Sequence, residues 1–219
     1  DNEKAGTLKN GDCCFVAPQV IEFDPTGNVV STFGGPGPGY EWPDSEHGIF
    51  VDHKDNVWVS GNGAKDSQLL KFSRQGKFLM QIGHKGQSKG SNDLENVRMA
   101  ANMEVDPATS ELIVADGYGN KRVAVFDADT GKYKRHWGAY GNKPDDTPLG
   151  PYDPAAKPAP QFRGPVHCAS LAKDGLIYVC DRTGNRIQVF QKNGTFVKEA
   201  FISPKTLGSG AVWDIDFST

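Results

Sequence analysis

Four side chains in this sequence are of types that do chemistry together: His47, Tyr118, His167 and Arg182. Neutral imidazole nitrogens are natural zinc ligands. A phenol held near a cation gives up its proton more readily and can serve as a base. A guanidinium can grip a carboxylate at two points. Aligning four segments on their central apolar residues, Val51, Val105, Leu171 and Phe217, sets His47, Ala101, His167 and Trp213 in equivalent positions. Histidine therefore recurs at alternate copies of a repeat. Tyr118 follows Asp116-Gly117, and Arg182 follows Asp181, each at the end of the strand after the aligned one. Two histidines do not complete a zinc site, because a catalytic zinc usually takes more protein ligands than that. A plainer reading stands beside the metal reading. In it the imidazoles donate to carbonyls at strand starts, and Asp116 and Asp181 shape the turns that follow them.

The elements that must position these residues come from the repeat. Its second half reads Phe, a short turn, Gly, then apolar residues at fixed offsets. It occurs at Phe23, Gly27, Val29 and Phe33; at Phe72, Gly76, Phe78 and Ile82; at Phe126, Gly131, Tyr133 and Trp137; and at Phe190, Gly194, Phe196 and Ala200. Each copy is two strands of period two joined by a tight turn. Repeats of this size, rich in short strands, indicate propellers or β-solenoids. The fold class predicted is all-β, a propeller whose blades are four-stranded antiparallel meanders around a channel. The boundaries predicted are an extended lead-in at 1–18 and a propeller at 19–219. Within it lie a partial blade at 19–34, full blades at 47–83, 100–138 and 166–201, and the start of a further blade at 211–219. An inner strand is expected at Val212–Phe217. That makes about four blades, and we expect them to be part of a larger ring. In a meander blade the first strand starts on the rim where the second one ends. Two imidazoles, a phenol and a guanidinium then face one pocket.

Composition narrows the classes. With 219 residues, 37% hydrophobic, the chain can build one domain with a core. The 26 Gly and 14 Pro punctuate many short strands. A net charge of −3 argues against a nucleic-acid footprint. No apolar stretch is long enough to span a membrane as a helix. Cys168 and Cys180 flank a turn at Lys173-Asp174-Gly175 and could face each other as a disulfide, or remain buried thiols. Cys13 and Cys14 are neighbours, and a bridge between them would be strained. A secreted or periplasmic location is expected. The long connections carry Tyr40, Trp42, Tyr140 and Tyr152, which either anchor a binding partner or pack over blade edges. His53, His84 and His136 read as solvated or capping. No phosphate loop, nucleophile elbow, HExxH or CxxC pattern occurs.

The D…N-x-R-[IV]-x-x-F unit in Asp116–Phe126 and Asp181–Phe190 resembles NHL-repeat propellers. Within that class the chain is similar to the peptidyl-α-hydroxyglycine α-amidating lyases, which are six-bladed. The matching pieces are His47-Gly48-Ile49 followed by Asp52-His53-Lys54-Asp55-Asn56, then Asp116-Gly117-Tyr118-Gly119-Asn120, Pro165-Val166-His167 and Asp181-Arg182. The resemblance implies that His47 and His167 bind zinc, that Tyr118 is the base, and that Arg182 helps hold substrate. It implies a reaction that cleaves a hydroxylated glycine extension into a peptide amide and glyoxylate. It also implies calcium, on the resemblance alone. The third zinc histidine and a further arginine of the family have no counterpart in this sequence, and Tyr178 and Gly119 stand where its cysteines are expected. Two functions are therefore carried forward. One is a zinc-dependent carbon–nitrogen lyase acting on a small or peptide carbinolamide at the channel rim. The other is a non-catalytic propeller scaffold whose aromatic loops bind a protein partner.

Overall fold

The computed structural model describes residues 17–218. Most of the expected lead-in, with Cys13 and Cys14, lies outside the described residues. Among the described residues, alternating apolar residues around tight turns form fourteen strands and almost no helix. A hairpin comes first, with β1 at Val20–Phe23 and β2 at Val29–Phe33. Three four-stranded antiparallel meanders follow. The first holds β3 (Glu46–Val51), β4 (Asn56–Gly61), β5 (Leu69–Ser73) and β6 (Phe78–Ile82). The second holds β7 (Asn102–Asp106), β8 (Glu111–Asp116), β9 (Arg122–Asp127) and β10 (Tyr133–Trp137). The third holds β11 (Val166–Leu171), β12 (Leu176–Asp181), β13 (Arg186–Gln191) and β14 (Phe196–Phe201). This is the arrangement of propeller blades: three complete ones and an outer half-blade.

The middle strands are apolar on both faces because each sheet packs against its neighbours. In β8 every residue is buried. Trp58, Leu69, Met103, Leu112 and Phe126 fill the space between the first and second full blades. Ile113, Val125, Phe162, Ile177 and Phe190 fill the space between the second and third. Trp42, Val57, Leu70 and Phe72 join the hairpin to the first full blade through Val20 and Phe33. Carboxylates shape the tight turns. Asp52 Oδ1 accepts from the amides of Lys54 and Asn56, each at 2.9 Å, while its Oδ2 takes the Trp58 indole N–H at 3.0 Å.

One expected strand is absent: Val212–Phe217 forms no ladder. Its amides turn to neighbouring carboxylates instead. Ile215 donates to Asp214 Oδ1 and Phe217 to Asp216 Oδ1, both at 2.9 Å. A first strand needs a second strand to pair with, and none of the described residues supplies one. The segment still packs, with Val212 and Ile215 against Cys168 and Cys180, which are joined as a disulfide.

Candidate functional site

The inner strands β3 and β11 carry His47 and His167 and flank β7. Two close approaches set the rim. A Cβ on Gly48 would lie 2.8 Å from the Ala101 carbonyl, so only glycine lets β3 come this near the start of the next blade. A Cβ on Gly117 would lie 2.1 Å from the Val166 carbonyl, so the turn after β8 presses directly on the start of β11. These approaches bring Tyr118 between the two imidazoles.

The four candidate residues meet. Tyr118 Oη is 3.1 Å from His47 Nε2 and 3.1 Å from His167 Nε2. Arg182 Nη1 donates to the same oxygen at 3.0 Å. The two imidazole ring centres are 5.4 Å apart. The opposite nitrogen of each ring is held by backbone: His47 Nδ1 by the Ala101 carbonyl at 2.8 Å, and His167 Nδ1 by the Trp213 carbonyl at 2.5 Å. The carbonyl contacts of the plainer reading and the convergence of the metal reading are therefore both present.

Those carbonyls decide the chemistry of the rings. A carbonyl only accepts, so each Nδ1 must carry the proton and each neutral ring presents a bare Nε2 to the cavity. Burial, reinforced by the Arg182 guanidinium, lowers the pKa of His167 below the ordinary histidine value in spite of its bond to Trp213, which keeps the ring neutral. Tyr118 has one hydroxyl proton for two Nε2 acceptors. One imidazole lone pair is thus left facing an oxygen with no donor between them. A cation is the natural group to satisfy such a pair, and backbone carbonyls on the far nitrogens are the usual second shell of histidine ligands. Among the described residues, no group of three or more His, Cys, Asp or Glu side chains forms a complete cage. His47 and His167 would be two ligands of a larger set.

The aspartates beside the site are structural. Asp116 Oδ2 pairs with Arg122 Nε at 2.7 Å, and its Oδ1 accepts from the Arg98 amide at 2.8 Å. Asp181 does the same with Arg186 at 2.8 Å and with the Arg163 and Gly164 amides at 2.9 and 3.1 Å. Both pairs are buried. They tie the chain entering each blade to the strand ends that present Tyr118 and Arg182.

The aromatic loop residues lie apart from this cluster. Trp42 is not a surface anchor: it is 4% exposed and packs on Phe72, as does Tyr40. Tyr140 packs on Phe196 and bonds Glu199 and Arg186. Three of the four are drawn inward because the connections must cover the open ends of the inter-blade layers. Tyr152 alone lines a recess, of about 320 Å³, with Arg163, Phe201 and Pro204. Sequence reasoning set Trp213 in register with the histidines but assigned it no part in the site. Its side chain stacks on Arg182, with the guanidinium carbon 4.2 Å from the ring centre.

With this geometry in place, the likenesses to known proteins are informative. Peptidyl-glycine alpha-amidating monooxygenase B of Xenopus laevis is 29% identical over 154 residues, 70% of this chain and 16% of that protein. The Rattus norvegicus peptidylglycine alpha-amidating monooxygenase is 28% identical over 156 residues, 70% and 14%. The chain is an NHL-like β-propeller resembling the amidating enzymes. It spans 16% or less of the length of these relatives. No family model matches it. Among solved structures, a streptogramin B lyase superposes with a TM-score of 0.51 at 15% identity, covering 81% of this chain and 46% of that one. The computationally designed Ika8 protein reaches 0.50 at 8% identity, covering 89% and 45%. Likeness at such identities concerns the fold alone.

Proposed function

We propose that this propeller carries the site of a zinc-dependent lyase that cleaves an α-hydroxyglycine carbinolamide. The observation that carries the reading is the convergence of His47, His167 and Arg182 on one phenol oxygen, with both imidazoles oriented by backbone carbonyls. The resemblance to amidating enzymes supports the substrate class. Arg182 grips the substrate carboxylate. Tyr118 acts as the phenolate: it takes the proton of the carbinol hydroxyl and, now a phenol, returns it to the leaving nitrogen, while Arg182 stabilises the charge exchanged at that oxygen. As the hydroxyl becomes a carbonyl the carbon–nitrogen bond breaks, its electrons go to nitrogen, and nitrogen gains a proton. The products are a peptide amide and glyoxylate, with no net oxidation. His47 and His167, with further ligands, would hold zinc, and zinc held there would supply Lewis acidity towards the hydroxyl.

A ring of six blades goes with this reading, as does a secreted or periplasmic location. The Cys168–Cys180 disulfide supports an oxidising compartment. No helix among the described residues is long and apolar enough to cross a membrane. The scaffold alternative relied on aromatic anchors, and the inward packing of Trp42, Tyr40 and Tyr140 leaves it less to stand on.

The test measures metal content and glyoxylate release from an α-hydroxyglycine peptide, using the full chain supplied with zinc. Release is expected, with Tyr118→Phe slower by about 100-fold or more. His47→Ala is expected to lower zinc content. Zinc-supplied protein that releases no glyoxylate would end the proposal.

A further inference from the structure

The unassigned aromatic at the site, Trp213, touches two of its working parts at once. Its ring lies against the Arg182 guanidinium at 4.2 Å, and the Tyr118 ring lies 5.4 Å from the same carbon. Arg182 is therefore in contact with two aromatic rings. Among the described residues its buried Nε has no hydrogen-bond partner, and the bond to Tyr118 and these two rings set its direction. The Trp213 carbonyl meanwhile fixes the His167 ring.

Trp213 is itself pinned, although it lies in no strand. Its indole N–H donates to the Gly210 carbonyl at 3.1 Å. Gly210 has a φ of +80° and sits so close to Arg182 that a Cβ there would fall 2.0 Å from the Arg182 carbonyl. Ala211 N donates to the buried Asn185 Oδ1 at 2.8 Å. The turn that carries Trp213 is thus built against the backbone of the residue it stacks on. Trp213 is 49% exposed, whereas Trp42, Trp58 and Trp137 are at most 4% exposed. A half-exposed indole on a core-bound turn is not needed for packing.

We infer that Trp213 is the positioning residue for a carboxylate-gripping Arg182, holding the guanidinium by ring stacking so that its outer nitrogens face the ligand. This inference rests on the lyase reading of the site, in which Arg182 meets a carboxylate. A stacked guanidinium keeps its charge and its planar fork free for that role.

The experiment is calorimetric titration of the metal-stripped full chain with N-benzoylglycine and, separately, with its carboxamide. Wild type is expected to prefer the acid. Trp213→Ala is expected to weaken acid binding about tenfold and leave amide binding unchanged, with Trp213→Phe close to wild type. A general structural defect would move acid and amide together, and a thermal melt of each variant checks folding. If Trp213→Ala keeps the full acid preference, the positioning role is wrong while the reading of Arg182 stands. If wild type and Arg182→Ala bind acid and amide alike, Arg182 grips no carboxylate, and the site reading and this inference fall together.

Discussion

At the scale of residues, hydrogen-bond arithmetic says more than proximity does. Two imidazoles whose Nδ1 atoms are committed to the Ala101 and Trp213 carbonyls present, in their neutral form, two bare nitrogens to a phenol with one proton. That shortage distinguishes His47 and His167 from His136, whose needs are met locally. Its Nδ1 accepts from the Tyr133 hydroxyl at 2.8 Å, and its Nε2 lies 3.4 Å from Asn92 Oδ1. Burial, together with the charges of Arg122 and Lys143, pushes the His136 pKa down to about 4 from 6.5. The unfolded chain therefore takes up this proton at a higher pH than the folded one. Stability should be whole above pH 6.5 and decline as pH falls towards 4. Thermal melts across that range should show the decline, and His136→Phe should flatten it. An equal pH slope in wild type and variant would show that His136 does not report on folding.

At the scale of elements, the D…N-x-R unit joins strand ends to the chain that enters each blade. Asp181 and Arg186 sit on paired strands, with Asp181 at the end of β12 and Arg186 at the start of β13. The carboxylate also collects the Arg163 and Gly164 amides, while Arg186 Nη2 donates to the Gln161 carbonyl at 2.9 Å. Asp181→Ala leaves the buried Arg186 guanidinium with only the more distant Glu199 carboxylate, 3.5 Å away, and the expected loss is about 3 kcal/mol in denaturant unfolding. Asp181→Leu combined with Arg186→Met should lose less, because the one carboxylate it deprives of a partner, Glu199, is partly exposed to water. If Asp181→Ala costs no more than the double variant, the ion pair is not what anchors the connection. The repeat was readable because each copy places the same residue types at the same offsets. The inward turn of Trp42 and Tyr140 was not, because a connection's direction depends on which inter-blade gap is open beside it.

At the scale of the whole molecule, the described blades form an arc with the second full blade in the middle. Its neighbours cover it, so β8 is buried from end to end. The ends of the arc are barer. Ile49 and Val51 are each 56% exposed on β3, beside a recess also lined by Val20, Phe33 and Val57. Val197, Phe201 and Leu207 are exposed at the other end. Local opening should follow the same gradient. Hydrogen exchange read by mass spectrometry should find the amides of β8 and β9 slowest and those of the β1–β2 hairpin fastest. Equal protection in the hairpin and the central blade would mean that the blades do not rely on their neighbours in this way.

What the sequence determined by itself is the alternation of short strands, the offsets of the repeat and the register of its first strands, because period-two burial and glycine turns are local properties written in residue order. Register was enough to expect His47, Tyr118, His167 and Arg182 on one rim. Two things waited for the tertiary structure. One is that Val212–Phe217 makes no ladder, since a strand exists only with a partner. The other is that the Ala101 and Trp213 carbonyls reach the two imidazoles. Those contacts cross from blade to blade and from strand to loop, and their distances depend on how closely Gly48 and Gly117 let neighbouring backbones approach.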